Sequence, residues 1–552
     1  MNSLKSSPAL SGRIFSSFIL IYFFFFIVDA IGQAPQTLWK KTFGGTNIDV
    51  GSHVIQSSDG GYAITGYTRS YGTMSGRNIL LLKTDSSGNQ LSINAYGGND
   101  DEEGFGIRQT FDRGYIIVGY TKSFGAGAKD VIIQKTDSLG NSEWMRTFGG
   151  SNDDEGYSIQ QTSDRGFIIA GATSSSGAGS RDVYLVRTDA NGNLRWAKTL
   201  GGMSSDGAWC VQLTSDGGFI ITGWTFSYGP GFVGNVWLVK ADSLGNQIWH
   251  KYFGGSDADR GLAVEQTTDG GYIITGYTAS YGAGLDDLYL IKTDSAGNEQ
   301  WSKTFGGSGR DYGNFVQQAH DGGYIITGYT LSFGAGSEDV WLIKTDPNGN
   351  KTWDITHGGA QSDVGNCVKQ TSDGEYIIAG YTLSYGAGVH DVWLIKTAPE
   401  QNTITISFQI QPDWNLLSVP LNLANMNIAS IFPEAVSNAY YYDNGYITAT
   451  TAQLGKGFWL KFNSAQTKNL TGIPQSSINI NLNAGWNLIG PLHVNVPTSN
   501  ITTNPPGIIS SLFFGYSNGY QAVTTLEKGK GYWIKVSSNG TMIIPTAAGK
   551  RK

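Results

Sequence analysis

An acidic side chain recurs four residues after each of seven glycine pairs between residues 37 and 397. The seven residues are Asp49, Glu102, Asp154, Asp206, Asp259, Asp311 and Asp363. Carboxylates in such number could hold calcium, which takes several oxygen ligands, or supply the acid and base of a glycosidase. Regular recurrence favours the capping of seven identical turns, because aspartate near glycine is ordinary turn chemistry. No metal ligand is assigned, and Asp154, Asp311 and Asp363 remain as candidates for calcium, the one cofactor left open.

An aromatic side chain also recurs, in one longer loop of six of the seven repeats. These residues are Tyr71, Phe124, Tyr228, Tyr281, Phe333 and Tyr385. Their rings could stack on sugars or on the surface of a protein, since each offers a large apolar area. They could equally fill gaps between neighbouring repeats, because large rings are usually buried. The first alternative makes them the ligand-binding candidates.

Other catalytic patterns are missing from the sequence. The six histidines fall at unrelated positions of the repeats, so they predict neither a metal cluster nor a catalytic base. Nucleophile-elbow, HExxH and phosphate-loop sequences are absent as well, and no catalytic residue is assigned. Cys210 and Cys367 occupy equivalent positions, where other repeats place mostly small residues. We expect both cysteines to be buried free thiols.

The glycine pairs recur at intervals of about 52 residues, which is typical of a repeated supersecondary unit. Each copy contains four short runs rich in Val, Ile, Tyr, Trp and Thr, separated by turn residues, as in 314–319, 324–330, 339–345 and 352–357. This pattern predicts four antiparallel strands per repeat. Two connections are tight turns and two are longer loops, and the longer loops should share the face that binds a ligand.

These repeats predict an all-β fold, a seven-bladed β-propeller of four-stranded blades over residues 35–399. The run TLWKKTF (37–43) precedes the first glycine pair without companions, while the seventh repeat lacks its fourth run. We therefore expect this N-terminal strand to complete the last blade. That pairing closes the ring and removes two sheet edges.

The blocks TDGGYIITGYT (268–278), DVWLIKTD (339–346) and WSKTFGG (301–307) resemble a group of secreted bacterial and archaeal repeat proteins assigned to propeller folds. The element containing Asp294, Gly297 and Trp301 is similar to the tryptophan-docking element of quinoprotein-type propellers, with one residue fewer. The resemblance implies that this tryptophan packs between blades. Ser92 replaces it in one repeat, where a weaker contact between blades is expected. No quinone site is carried over, because adjacent cysteines are missing.

A different duplication follows the repeats. The run WNLLSVP (414–420) matches WNLIGP (486–491), and GKGFWLK (455–461) matches GKGYWIK (529–535). Two small β modules are predicted, over 400–477 and 478–546, followed by a basic tail at 547–552. They resemble modules at the C-terminal ends of secreted bacterial proteins, which implies a role in attachment or spacing.

The N-terminus carries Lys5 and Arg13 before an apolar run at 14–28, followed by Ala30 and Ala34. This order predicts a signal peptide over residues 1–34, although an uncleaved anchor is the alternative. No later stretch is long and apolar enough to span a membrane as a helix. The formal net charge of −7 argues against nucleic acid as a partner.

Our functional hypothesis is an exported, non-catalytic scaffold, secreted or at the cell surface, which binds an extracellular protein or polysaccharide as a monomer. Seven near-identical repeats without one singular reactive cluster motivate it. Two alternatives stay open. One is a polysaccharide-active hydrolase that uses acidic residues on the long-loop face, and the other is a structural component of the cell surface.

Overall fold

The computed structural model describes residues 34–545, except 74, 232, 401–403, 424 and 476. The predicted signal peptide, apart from Ala34, and the predicted tail lie outside these residues. Between residues 34 and 400 the chain forms seven four-stranded antiparallel sheets, here called blades. No helix in the described part of the chain is long and apolar enough to cross a membrane.

Each blade has an inner, a second, a third and an outer strand. The inner strands are Asp49–Gln56, Glu102–Gln109, Asp154–Gln161, Asp206–Leu213, Asp259–Gln266, Asp311–Gln318 and Asp363–Gln370. The second strands are Tyr62–Thr68, Tyr115–Thr121, Phe167–Thr173, Phe219–Thr225, Tyr272–Thr278, Tyr324–Thr330 and Tyr376–Thr382. The third strands are Asn78–Thr84, Asp130–Thr136, Asp182–Thr188, Asn235–Ala241, Asp287–Thr293, Asp339–Thr345 and Asp391–Thr397. The outer strands are Thr37–Phe43, Gln90–Tyr96, Ser142–Phe148, Leu194–Leu200, Gln247–Phe253, Glu299–Phe305 and Lys351–His357.

The N-terminal strand closes the ring, as the sequence predicts. Thr37–Phe43 pairs antiparallel with Asp391–Thr397, with Trp39 opposite Lys396. Each inner strand contacts the inner strands of both neighbouring blades, and the first contacts the last. The fold is therefore a closed β-propeller whose inner strands surround a common axis.

The second and third strands form the core, because neighbouring blades cover both of their faces. Nearly every residue of these strands is buried. Tryptophans of the outer strands pack on the turn of the next blade, as Trp39 does on Gly88 and Trp144 on Gly192. At the blade with Ser92, Asn94 approaches the corresponding Gly140 instead, and the Tyr96 hydroxyl donates to the Gly140 carbonyl oxygen. The expected gap is thus partly filled by two other side chains.

The C-terminal part consists of short strands and one helical turn per half. The first half contains strands Ile404–Ile410, Asp413–Ser418, Ala439–Tyr442, Tyr446–Ala449, Gly457–Phe462 and Gln466–Gly472 and a helix, Ile428–Ile431. The second contains strands Ser477–Leu482, Gly485–Ile489, Val496–Pro497, Thr502–Asn504, Phe513–Tyr516, Tyr520–Val523, Thr525–Leu526, Tyr532–Val536 and Gly540–Pro545 and a 3₁₀ helix, Thr498–Asn500.

Each half has its own hydrophobic core, and the two halves also pack on one another. Leu416 and Trp459 of the first form a shared cluster with Leu488 and Trp533 of the second. Backbone hydrogen bonds cross the contact in both directions, from Ser418 N to Gly529 O at 3.0 Å and from Gly490 N to Gly455 O at 2.9 Å. The halves are here called module 1 and module 2. They contact each other through equivalent positions of the duplicated sequence, since Ser418 corresponds to Gly490 and Gly455 to Gly529.

Candidate functional site

Every inner strand contains a β-bulge at the same place. In the first blade the pairing skips Ser52, which lies between the paired residues Gly51 and His53. Gly66 on the second strand permits this close approach, since a Cβ added to it would lie 1.8 Å from the backbone opposite. A bulge re-aims one side chain relative to a regular strand. The skipped residues of the seven blades are Ser52, Phe105, Tyr157, Trp209, Leu262, Asn314 and Asn366.

All seven skipped residues line one cavity of about 450 Å³, here called the axial cavity. Because every inner strand contributes to it, the axial cavity lies at the centre of the ring. Its volume falls within the usual range for a small-molecule or side-chain binding site. The inner strands begin where the longer loops end, so the skipped residues lie near the long-loop face of the propeller.

One side of the axial cavity is an aromatic arc. The rings of Phe105 and Tyr157 are 5.1 Å apart between centroids, and those of Tyr157 and Trp209 are 4.2 Å apart. Trp224 of the second strand continues the arc at 5.3 Å from Trp209. The indole N–H of Trp209 has no hydrogen-bond partner in the described part of the chain. This arc offers ring faces, which suit stacking with a ring-bearing ligand.

The opposite side of the axial cavity is polar. Asn314 Nδ2 donates to the Gly365 carbonyl oxygen at 3.0 Å, and Asn366 Nδ2 donates to that of Gly51 at 2.9 Å. Each bond links one blade to the next, which fixes the orientation of the amide. An aromatic wall thus faces a wall of ordered amides across the axis.

Charged side chains lie deeper, three residues beyond the bulge. Arg108 donates from Nε to Gln160 Oε1 at 3.0 Å, and its Nη1 lies 3.2 Å from His53 Nε2. Lys369 Nζ lies 4.4 Å from the centre of the Phe315 ring. Burial lowers the pKa of both Arg108 and Lys369. A ligand that brings an acceptor or a negative charge would offset this burial for Arg108, which lines the axial cavity.

Glu265 belongs to the same level as these cations. Its carboxylate accepts the backbone N–H of Gln318 at 2.7 Å. Burial raises the pKa of Glu265, while the charges of Lys369 and Arg108 oppose that shift. Of these three charged side chains, Arg108 lines the axial cavity, whereas Lys369 and Glu265 occupy the equivalent positions of their own inner strands.

An ion-pair network borders the aromatic arc. Glu155 accepts from Lys129 Nζ and from the Tyr157 hydroxyl, both at 2.5 Å, and also from Arg181. Burial alone would raise the pKa of Glu155, but its partners lower it below the usual range. The network holds the Tyr157 ring in place from its hydroxyl end. It thereby pre-organises the arc for stacking.

The recurring acids lie at the loops that lead into the inner strands. Asp311 Oδ2 accepts from Gly307 N at 2.9 Å and from Ser332 Oγ at 2.6 Å, and Oδ1 accepts from Thr330. Asp154 and Asp363 also accept from the second glycine of the preceding pair, and all three are fully buried. This is the geometry of a turn cap. Among the described residues, no three His, Cys, Asp or Glu side chains are grouped to hold a metal ion.

The loop aromatics do not line the axial cavity. The hydroxyls of Tyr71, Tyr281 and Tyr385 donate to the first carbonyl of a glycine pair at 3.0, 3.0 and 2.8 Å. The rings of Tyr228, Phe333 and Tyr385 each pack beside a tryptophan of the third strand. Tyr281 remains 48% exposed and Phe124 36% exposed. These half-exposed rings still fit either packing or ligand contact, and their role stays a prediction.

Both cysteines are free and buried, and Cys210 lines the axial cavity. The repeat pattern predicts packing alone for the position of Cys210, and the position before it carries no prediction. In repeats that otherwise match closely, the skipped residues vary from serine to tryptophan. That variation was the available signal for the axial cavity.

No family model matches the chain. A 121-residue segment is 29% identical to the regulatory protein FlaEY of Caulobacter vibrioides, covering 20% of this chain and 13% of that protein. The chain thus spans about an eighth of that relative.

Solved propeller structures are similar at low identity. The WD40 domain of Neurospora crassa Pan2 is 11% identical, with a TM-score of 0.40, over 66% of this chain and 97% of that one. A protein of unknown function from Dyadobacter fermentans is 10% identical, with a TM-score of 0.37, over 66% and 98%. Puromycin hydrolase is 12% identical, with a TM-score of 0.42, over 71% and 60%. These similarities concern the fold alone.

Proposed function

We propose that this protein is an exported, non-catalytic β-propeller scaffold that binds an extracellular or cell-surface ligand in the axial cavity. One observation carries the proposal. The repeats diverge at the bulge position of the inner strands, and this divergence places aromatic rings opposite ordered amides. A position that served packing alone would favour similar residues in similar blades.

The chemistry of the axial cavity suits a ligand with a flat ring and hydrogen-bonding edges. A sugar residue of a polysaccharide and an aromatic side chain of a protein both meet this description. Arg108, which lines the same cavity three residues beyond Phe105, favours a ligand edge rich in acceptors. We propose that the propeller binds such a ligand as a monomer.

The test compares variants of the axial cavity with a variant of the same face. Trp209→Ala and Asn314→Ala should each weaken binding about tenfold or more, because they remove a stacking face or an amide from the cavity. Phe333→Ala, in a loop outside the cavity, should leave affinity unchanged. Ligands would be found with a glycan array and by pull-down from the surface of the producing cell, and affinities measured by calorimetry.

Hydrolysis is the outcome that would overturn this proposal. Turnover in a polysaccharide panel that is lost in Asp154→Asn or Asp311→Asn, with thermal stability unchanged, would assign the buried acids to catalysis. Equal loss of affinity in Phe333→Ala and Trp209→Ala would instead move the ligand site to the loops.

A further inference from the structure

Two aromatic grooves flank the contact between module 1 and module 2. The first groove, of about 500 Å³, is lined by Trp414, Tyr440 and Trp459 of module 1 and is closed by Tyr516 and Tyr520 of module 2. The Trp459 and Tyr516 rings cross at 80° with centroids 4.8 Å apart. One module thus provides the floor of the groove and the other provides a wall.

The second groove repeats this arrangement with the modules exchanged. It encloses about 360 Å³ and is lined by Trp486, Phe514, Tyr520 and Trp533 of module 2, with Tyr442 of module 1 as a wall. Tyr442 and Trp533 cross at 73°, again with centroids 4.8 Å apart. The same ligand-sized groove therefore occurs twice, built from corresponding residues of the duplicated sequence.

Large rings face solvent in both grooves. Trp414 is 36% exposed and Trp486 is 42% exposed, and Tyr446 and Tyr520 are more than half exposed. Trp459 and Trp533 are each 8% exposed and form the buried floors of the grooves. Exposed ring faces are therefore what each groove offers a ligand.

Charge narrows the choice of ligand. Every described residue that lines either groove is aromatic. The charged groups nearest to the grooves on the strands are of both signs. Lys461, in register opposite Trp414, forms an ion pair with Asp413 at 3.1 Å, and Lys535 lies opposite Trp486. Because the described linings themselves carry no charged group, the grooves favour a neutral ligand.

We propose that the grooves are two binding sites for a polysaccharide of pyranose units. A pyranose ring presents a face of C–H bonds that can lie on the exposed indole of Trp414 or Trp486. Its hydroxyls project from the edge, where they can reach water and the tyrosine hydroxyls. Because the modules are joined by backbone hydrogen bonds, both sites are held in fixed relation and one polysaccharide chain can gain affinity from the pair. The grooves are distinct from the axial cavity.

The experiment measures retardation of the full chain in native gels containing laminarin, xylan, soluble starch or alginate. We expect at least one polysaccharide to bind. Trp414→Ala and Trp486→Ala should each weaken that binding about tenfold, and the double variant should abolish it, because hot-spot rings dominate such interfaces. Tyr252→Ala, which truncates a 50% exposed ring on the propeller, is the matched control and should bind like the unmodified chain.

Two further measurements keep this proposal separate from folding and from the axial cavity. Tyr446→Ala and Tyr520→Ala remove rings that are 58% and 57% exposed, and they should weaken binding while the thermal unfolding midpoint stays unchanged. Trp209→Ala should leave the retardation intact, whatever it does to the ligand of the propeller. Retardation by none of the four polysaccharides, or retardation unchanged in the double variant, overturns the proposal. Tight binding of a polyproline peptide in place of polysaccharides would also overturn it.

Discussion

At the scale of single residues, side chains that hold the backbone recur in all seven blades, whereas side chains that face the axis differ between blades. Asp311 accepts hydrogen bonds from its own loop, and its counterparts do the same in the other blades. At the bulge position, tryptophan occurs only as Trp209 and asparagine only as Asn314 and Asn366, and all three line the axial cavity. A residue required seven times supports the fold, whereas a residue found in one or two of the seven blades is available for recognition.

His357 provides a residue-scale prediction on pH. Burial, and to a lesser degree the charge of Lys40, lower the pKa of His357 to about 4, whereas an unfolded histidine titrates near 6.5. The unfolded state binds the proton first as pH falls. Stability contributed by neutral His357 is therefore complete above about pH 6.5 and is lost progressively down to about pH 4, by on the order of 3 kcal/mol.

His357→Phe should remove this pH dependence, because phenylalanine cannot bind a proton. The variant should still fold, since phenylalanine occupies the same outer-strand position at Phe43, Phe148, Phe253 and Phe305. Thermal unfolding midpoints at pH 7, 5.5 and 4.5 would measure it, with the exposed His320→Gln as control. If the variant loses as much stability on acidification as the unmodified chain, buried His357 is not the cause.

At the scale of elements, the strand Thr37–Phe43 matters most for closure of the propeller, because it joins the two ends of the ring. Without it, Asp391–Thr397 would be an unpaired edge, and exposed edges recruit other chains. The inner strands form the candidate site. Their bulges turn one side chain per blade towards the axis, so an irregularity of the backbone creates the axial cavity.

Deletion of residues 34–43 should open the ring. We expect a lower thermal midpoint and association into dimers or larger species, measured by calorimetry and by light scattering after gel filtration. Adding the peptide TLWKKTF in trans should restore the monomer, because it can occupy the vacated edge. A deleted chain that stays monomeric with an unchanged midpoint would contradict the closure by this strand.

At the scale of the whole molecule, the chain combines a closed ring with a paired set of modules. The modules meet through corresponding surfaces, and a shared cluster of leucine and tryptophan side chains lies between them. The contact is very close at Gly457, where an added Cβ would lie 2.8 Å from the Ile489 carbonyl oxygen and 3.2 Å from the Gly531 Cα. Only glycine permits this approach.

Gly457→Val should force the modules apart and expose their shared cluster. Overpacking of this kind costs about 1–3 kcal/mol, and we expect increased binding of a hydrophobic dye together with loss of both aromatic grooves. Gly445→Ala is the matched control, because a Cβ added there meets nothing within 4 Å. An unchanged dye signal in Gly457→Val would show that the modules do not depend on this contact.

The sequence by itself determined the seven repeats, the four strands in each, and the closure by the N-terminal strand. These follow from local periodicity and from counting strands at the two ends of the array. It also identified the turn acids and the docking tryptophans, because identical local structures repeat identical residues.

Only the tertiary structure decided which residues face one another. The axial cavity joins residues from seven blades that are far apart in sequence, and a one-residue bulge turns each of them inward. Alternation along a regular strand does not predict such a change of direction. The grooves between the modules likewise require two distant sheets to meet, since Tyr516 closes a groove whose floor is Trp459. Neighbourhoods of this kind arise from packing across the chain. The variation among the skipped residues marks a position that differs between repeats, but it does not show which side chains meet.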